Sequence, residues 1–151
     1  MRILGVDPGV GGALVILEND IPTLINNYST EQDFIDVLEE ASKEKIDAAF
    51  IEKVNAFPGQ GVASTWKFAQ NYGFERGVIR TLKIPLHEVL PQKWQKSLGL
   101  PQVKIKTQRK AALKDAAGRF FPQTKWTLKN CDAVLIALYG ANTLSSPEKI
   151  T

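Results

Sequence analysis

The first third of the chain alternates short apolar runs with turn residues. Residues 2–7, 12–18 and 21–28 each read as a β-strand, separated first by glycines and then by Asn19-Asp20. Strands joined by turns this short predict an antiparallel meander. Ser29-Thr30 offers a helix N-cap with acids in the turn that follows. Phe34, Val37, Leu38 and Ala41 then recur at helical spacing, so a helix is expected over about 31–44. A fourth strand occupies 46–52, and a loop carries Pro58-Gly59-Gln60-Gly61. A long helix follows from Val62 to about Leu82, with Phe68, Tyr72 and Val78 among its apolar positions. Gly73 and Gly77 either weaken that helix or let a neighbour pack closely on it. Next come a fifth strand over 84–90, a short helix opened by Pro91, and a loop from Gly99 to Ile105. A helix capped by Thr107 is stopped after Phe121 by Pro122, and a last helix spans about 131–143. The order β-β-β-α-β-α-β-α predicts an α/β fold, a mixed five-stranded sheet with helices on both faces. Right-handed crossovers bring the fourth strand beside the first.

Two of these strands end in an acid. Asp7 closes Ile3-Leu4-Gly5-Val6, and Glu52 closes Ala48-Ala49-Phe50-Ile51, so the predicted sheet puts both at neighbouring strand ends. A third acid, Asp132, shares a helix face with Leu135, Ile136 and Tyr139. Each has an ordinary explanation. Asp-Pro-Gly is turn chemistry, Glu52 can pair with Lys53 on the surface, and an aspartate is welcome in a first helical turn. Taken together they suggest a shared metal site. One cysteine, Cys131, and one histidine, His87, cannot build a zinc site of the usual kind. Oxygen donors favour Mg²⁺, with Mn²⁺ as a substitute. Such ions serve phosphodiester hydrolysis, whereas metal-free clustered carboxylates repel and tend to protonate.

Charge divides the chain. Residues 1–52 hold 3 basic and 11 acidic side chains, residues 53–130 hold 15 and 3, and residues 131–151 hold 1 and 2. The central net charge of +12 suits a polyanion such as nucleic acid, against the alternative of a solvated surface balancing an acidic one. The densest basic run, Lys104 to Lys110, contains Lys106 and Arg109 and is expected to contact phosphates. The length of 151 residues fits one domain over 1–144 with a flexible tail at 145–151. The apolar runs are too short to span a bilayer, and no signal-peptide pattern opens the chain. A lone cysteine excludes an internal disulfide and fits a reducing compartment, so a cytoplasmic location is expected.

The opening Ile3-Leu4-Gly5-Val6-Asp7-Pro8-Gly9 resembles the first motif of the RuvC-like Holliday junction resolvases, in the ribonuclease H-like superfamily. Phe50-Ile51-Glu52-Lys53-Val54, Pro58-Gly59-Gln60-Gly61-Val62, Pro91-Gln92-Lys93-Trp94 and Cys131-Asp132-Ala133-Val134-Leu135-Ile136-Ala137 resemble a branch found in phages and bacteria. The resemblance spans about residues 2–142. It implies a Mg²⁺-dependent homodimer that cuts four-way DNA junctions by paired nicks, in a bacterial or phage-infected cell. It makes Asp7, Glu52 and Asp132 metal ligands, and the long helix near 62–82 the dimer surface. It also implies basic helpers, for which Lys93 and Lys106 are the candidates. Lys106 is the one assigned to catalysis, against the alternative that both only touch backbone phosphates. Phosphate contacts are expected from Lys93, Lys96, Lys104, Lys106, Arg109 and Lys110.

The family carries an acid or histidine three positions before its last aspartate, and here that position is Lys129. Asn130 offers a substitute oxygen, or the site is weakened. The alternative function is therefore a branched-DNA-binding protein that cuts poorly. An actin-like ATPase would need a second lobe, for which the length leaves no room. Phe57 either wedges into the junction centre or folds back on the core. Trp66 and Trp94 are expected in the core and Trp126 is open between core and base stacking. His87 is expected to be packed or at the surface, and Cys131 in the core.

Overall fold

The computed structural model describes residues 1–9, 11–53 and 59–146. The predicted meander forms from β1 (Arg2–Asp7), β2 (Ala13–Glu18) and β3 (Ile21–Asn26). Asn19 and Asp20 both take left-handed backbone conformations, φ 50° and 66°, as a two-residue hairpin turn with the right twist requires. Thr30 caps α1 (Glu31–Ala41), its hydroxyl accepting from the Asp33 N–H at 3.0 Å. β4 (Ala48–Glu52), α2 (Val62–Thr81), β5 (Leu86–Val89), α3 (Pro91–Ser97), α4 (Lys106–Phe120) and α5 (Cys131–Ser145) complete the order.

The sheet order is β3-β2-β1-β4-β5. β1–β2 and β2–β3 pair antiparallel, while β4 joins β1 and β5 in parallel. The crossover therefore does bring the fourth strand beside the first. Strand parity sorts the core into two layers. Leu4, Val6, Leu14 and Ile16 face Phe34 and Leu38 of α1 and Ile79 of α2. Ile3, Val15, Ala48 and Phe50 face α5, with α3 and α4 behind it. α5 is buried on every side from Cys131 to Ala141, which is why its sequence is apolar with little amphipathic bias.

Two expectations need correction, and one pair of alternatives is narrowed. α4 begins one residue before Thr107, which lies inside the first turn, and Ile105 is the cap residue. Gly73 and Gly77 carry no close neighbour: a Cβ at either would meet nothing within 4 Å. Trp66 is not in the core but 68% exposed, on an outer face of α2 that also presents Val62. Trp94 and Trp126 are buried, and Cys131 is a core residue as expected. His87 is exposed, stacked on Phe50 with ring centroids 4.6 Å apart. No helix among the described residues is long and apolar enough to cross a membrane. α5 continues through Ser145, and residues 147–151 of the expected tail lie outside the described residues.

Candidate active site

Parity decides which way the two strand-end acids point. Ile3, Gly5 and Asp7 share a face of β1, and Ala48, Phe50 and Glu52 share the matching face of β4. The β1–β4 register pairs Val6 with Ile51, so Asp7 and Glu52 lie one step beyond it, side by side and toward α5. The third acid arrives because α5 crosses β1 at Gly5. A Cβ there would lie 2.2 Å from the Ala133 carbonyl oxygen and 2.6 Å from the Ala137 nitrogen. Only glycine permits this approach. It carries the first turn of α5, and with it Asp132, to the ends of β1 and β4. Asp132 lies in that first turn, where the helix dipole favours a negative charge.

The electrostatics report the convergence. Burial holds the Asp7 carboxyl well above the usual carboxylate range, and the charges of Asp132 and then Glu52 push it further the same way. Burial also raises Glu52, to about 7, opposed by a hydrogen bond from Trp94 and reinforced by Asp132. The Trp94 indole N–H donates to Glu52 Oε2 at 2.9 Å. Lys110, on α4, places its ammonium 2.9 Å from Asp132 Oδ2. Burial disfavours that charge, but Asp132 more than offsets it and the ammonium is held above its ordinary range. Cys131 leans on the same carboxylate, Sγ to Oδ1 at 3.4 Å, and burial pushes its thiol up to about 12.

Three carboxyl groups under partial burial, with one ammonium among them, make a site short of compensating positive charge. Its donors are all oxygen, and a divalent cation fits that chemistry. In this conformation, however, Glu52 turns to Trp94 and Asp132 to Lys110. Among the described residues no three Asp, Glu, His or Cys side chains are arranged to hold an ion. The Trp94 bond takes Oε2 of Glu52 and the Lys110 pair takes Oδ2 of Asp132, one oxygen of each carboxylate.

The other expected site residues spread around this centre. Lys106 is exposed in the first turn of α4, one turn before Lys110, and it is Lys110 that reaches the carboxylates. Lys93 and Lys96 are exposed on α3, whose Trp94 contacts Glu52. Lys104 is exposed, and Arg109 donates to the Val103 carbonyl at 3.4 Å. Lys129 is exposed in the turn before α5, while Asn130 is buried with its Oδ1 accepting from the Thr127 N–H at 2.8 Å. The Asn130 oxygen thus builds a turn rather than facing the acids. Phe57 lies outside the described residues.

Sequence reasoning missed two residues. Glu75 is the sole acid of α2 and is 2% exposed. Its partner is Tyr28, whose hydroxyl donates to the Glu75 carboxyl. A signal existed: Tyr72, Glu75 and Ile79 share one helix face, which puts an acid on an apolar stripe, as with Asp132.

No protein-family model matches the chain, and no curated protein matches it in sequence. Solved structures share its fold. RuvC from Thermus thermophilus in complex with a Holliday junction substrate has a TM-score of 0.68 at 14% identity, with 93% of each chain covered. A second structure of Thermus thermophilus RuvC gives a TM-score of 0.63 at 16% identity, again over 93% of each chain. The Fowlpox virus resolvase in complex with Holliday junction DNA gives 0.64 at 16% identity, covering 97% of this chain and all (100%) of that one. The fold is thus the RuvC-like, ribonuclease H-like α/β sheet expected from the sequence.

Proposed function

We propose that this protein is a structure-selective endonuclease that resolves four-way DNA junctions by metal-dependent phosphodiester hydrolysis, making paired nicks as a homodimer. The observation that carries this reading is the convergence of Asp7, Glu52 and Asp132 from three elements onto one face of a RuvC-like sheet, with Lys110 among them. Two of the solved structures with this fold are complexes with Holliday junctions, which supports four-way DNA as the substrate class.

In this reading Asp7, Glu52 and Asp132 hold Mg²⁺, or Mn²⁺ in its place. The bound ion supplies charge neutralisation at the phosphate and an activated water. Trp94 orients Glu52 through its bond to Oε2. Lys110 supplies a fixed positive charge where the phosphate becomes more negative, a role expected earlier of Lys106. Lys93, Lys96, Lys104, Lys106 and Arg109, on α3 and at the start of α4, grip the DNA backbone. Phe57, beside Glu52 in sequence, is proposed to enter the junction centre. The exposed outer face of α2, with Val62 and Trp66, is proposed as the dimer surface; a twofold pair suits cutting on two strands.

The test is cleavage of a labelled synthetic four-way junction in Mg²⁺ or Mn²⁺, beside Asp7→Asn and a matched linear duplex. Paired nicks confined to the junction and lost in Asp7→Asn support the reading. Binding should weaken steeply with added salt, and a flat titration counts against the phosphate contacts. A second reading, junction binding with poor cutting, draws on Lys129 at the position of the expected fourth acid and on the Lys110–Asp132 pair. It predicts tight binding without nicks, and a Mg²⁺-dependent gain in Lys129→Asp.

A further inference from the structure

The turn after Asp7 is tied down by groups that the proposed chemistry does not use. Tyr28, just beyond β3, is buried, its ring edge-on to Phe34 at a centroid distance of 4.9 Å. Its hydroxyl donates to Glu75 and lies 3.3 Å from the backbone carbonyl oxygen of Asp7 itself. The Gly12 N–H closes the turn by donating to the Gly9 carbonyl at 3.1 Å. Gly12 must lack a side chain for this to assemble. A Cβ there would lie 2.2 Å from the Asp7 carbonyl oxygen and 2.7 Å from the Tyr28 hydroxyl. The Tyr28 hydroxyl thus reaches both the Glu75 carboxyl and the backbone carbonyl of Asp7.

Packing alone does not account for this pair. Glu75 Oε2 is buried with no hydrogen-bond partner among the described residues, and a buried unsatisfied oxygen costs stability that an apolar residue of similar size would not. What the pair contributes is placement. Asp7 is the last residue of β1, so its strand pairing stops where its side chain is needed. Beyond it Gly9, Gly11 and Gly12 supply no side chains to brace the backbone.

We propose that Glu75 and Tyr28 are positioning residues for the Asp7 carboxylate, linking α2 to the metal-binding turn. The inference rests on the reading of Asp7 as a metal ligand. Carboxylates that bind metals are commonly oriented by hydrogen bonds from a surrounding shell, and disrupting such partners typically lowers metal affinity by about 10–100-fold. Here the orientation acts through the backbone of Asp7, and the two residues come from the segment before α1 and from the middle of α2.

The experiment is calorimetric titration of Mn²⁺ into wild type, Tyr28→Phe, Glu75→Leu and Glu75→Gln. Thermal unfolding without metal and junction binding in EDTA are measured beside it. Tyr28→Phe and Glu75→Leu are expected to bind Mn²⁺ about 10-fold or more weakly. Both should unfold cooperatively and keep their metal-free junction affinity. Glu75→Gln still accepts from the Tyr28 hydroxyl, so it should stay near wild type. Unchanged Mn²⁺ affinity in folded Tyr28→Phe and Glu75→Leu overturns the proposal. So does a Glu75→Gln loss as large as that of Glu75→Leu, which would make Glu75 a ligand through its charge. A wild type that binds no Mn²⁺ overturns it as well. A wild type that binds Mn²⁺ yet cuts no junction overturns the resolvase reading alone, and the variant affinities still decide this one.

Discussion

The Lys110 ammonium lies 2.9 Å from Asp132 Oδ2, joining α4 to the first turn of α5 where three carboxylates meet. The pair lets Asp132 remain beside the half-buried Asp7 carboxyl, and in the proposed reaction it sets a positive charge where a phosphate would be attacked. Lys110→Met is therefore expected to slow junction cleavage by roughly 10²-fold at saturating Mg²⁺. Junction binding in EDTA should fall only by the loss of about one phosphate contact. A cleavage rate unchanged in Lys110→Met, but lowered in Lys106→Met, would return the role to Lys106.

Asp7→Asn should separate stability from function. Asp7 is costly to ionise because burial, Asp132 and Glu52 all act against its charge. An amide of the same shape removes that charge and with it one ligand of the proposed metal site. Junction cleavage should vanish while the metal-free protein melts higher, by about 2–4 °C for each kcal/mol of relieved repulsion. A lower melting temperature for folded Asp7→Asn would show that the carboxylate cluster is not a source of strain.

The raised carboxyls fix the sign of the pH response. Glu52 is lifted to about 7 and Glu75 to about 8, both mainly by burial, from an ordinary value of 4.5. The folded state thus holds protons that the unfolded state has released. The stability these groups contribute is whole below about 4.5 and is lost as pH rises through about 7 to 8. Asp33 and Asp47, which are held low, titrate beneath this window. Melting curves of metal-free protein should therefore drop from pH 5 to pH 8, on the order of the shifts involved. Mn²⁺ should bind more tightly across the same range and release protons as it binds. Calorimetry in two buffers of different ionisation enthalpy measures that release, and its absence at pH 6.5 would contradict the protonated state of Glu52.

Gly5→Ala tests the docking of α5. The new methyl would overlap the Ala133 carbonyl and the Ala137 nitrogen, both backbone atoms of a helix buried on all sides. Since the helix must shift as a body, the cost should reach about 3 kcal/mol or more, at the upper end of overpacking effects. Chemical denaturation reads it directly. Gly73→Ala, where a Cβ meets open space, should instead be neutral or stabilising, and it serves as the control.

Much of this arrangement was legible from local pattern. Alternation along β1 and β4 puts Asp7 and Glu52 on one face, and the β-β-β-α-β order puts their strands side by side. Thr30 announces its helix by the type of its side chain and the acid three residues on. These features depend on near neighbours in sequence and on the fixed hand of crossovers, so a single chain reveals them. Other features depend on which elements come to lie against each other. Lys106 and Lys110 are one turn apart on a helix with little amphipathic bias, and only the packing of α4 on α5 selects Lys110 as the partner of Asp132. Trp66 has the composition of a core residue, yet α2 turns that face outward and buries Glu75 instead. Trp94 was expected in the core, but its bond to Glu52 needs the spacing between α3 and the end of β4. Periodicity shows that a helix has an inner face, while the shape of the surface it meets decides which polar group goes inside and what it touches there.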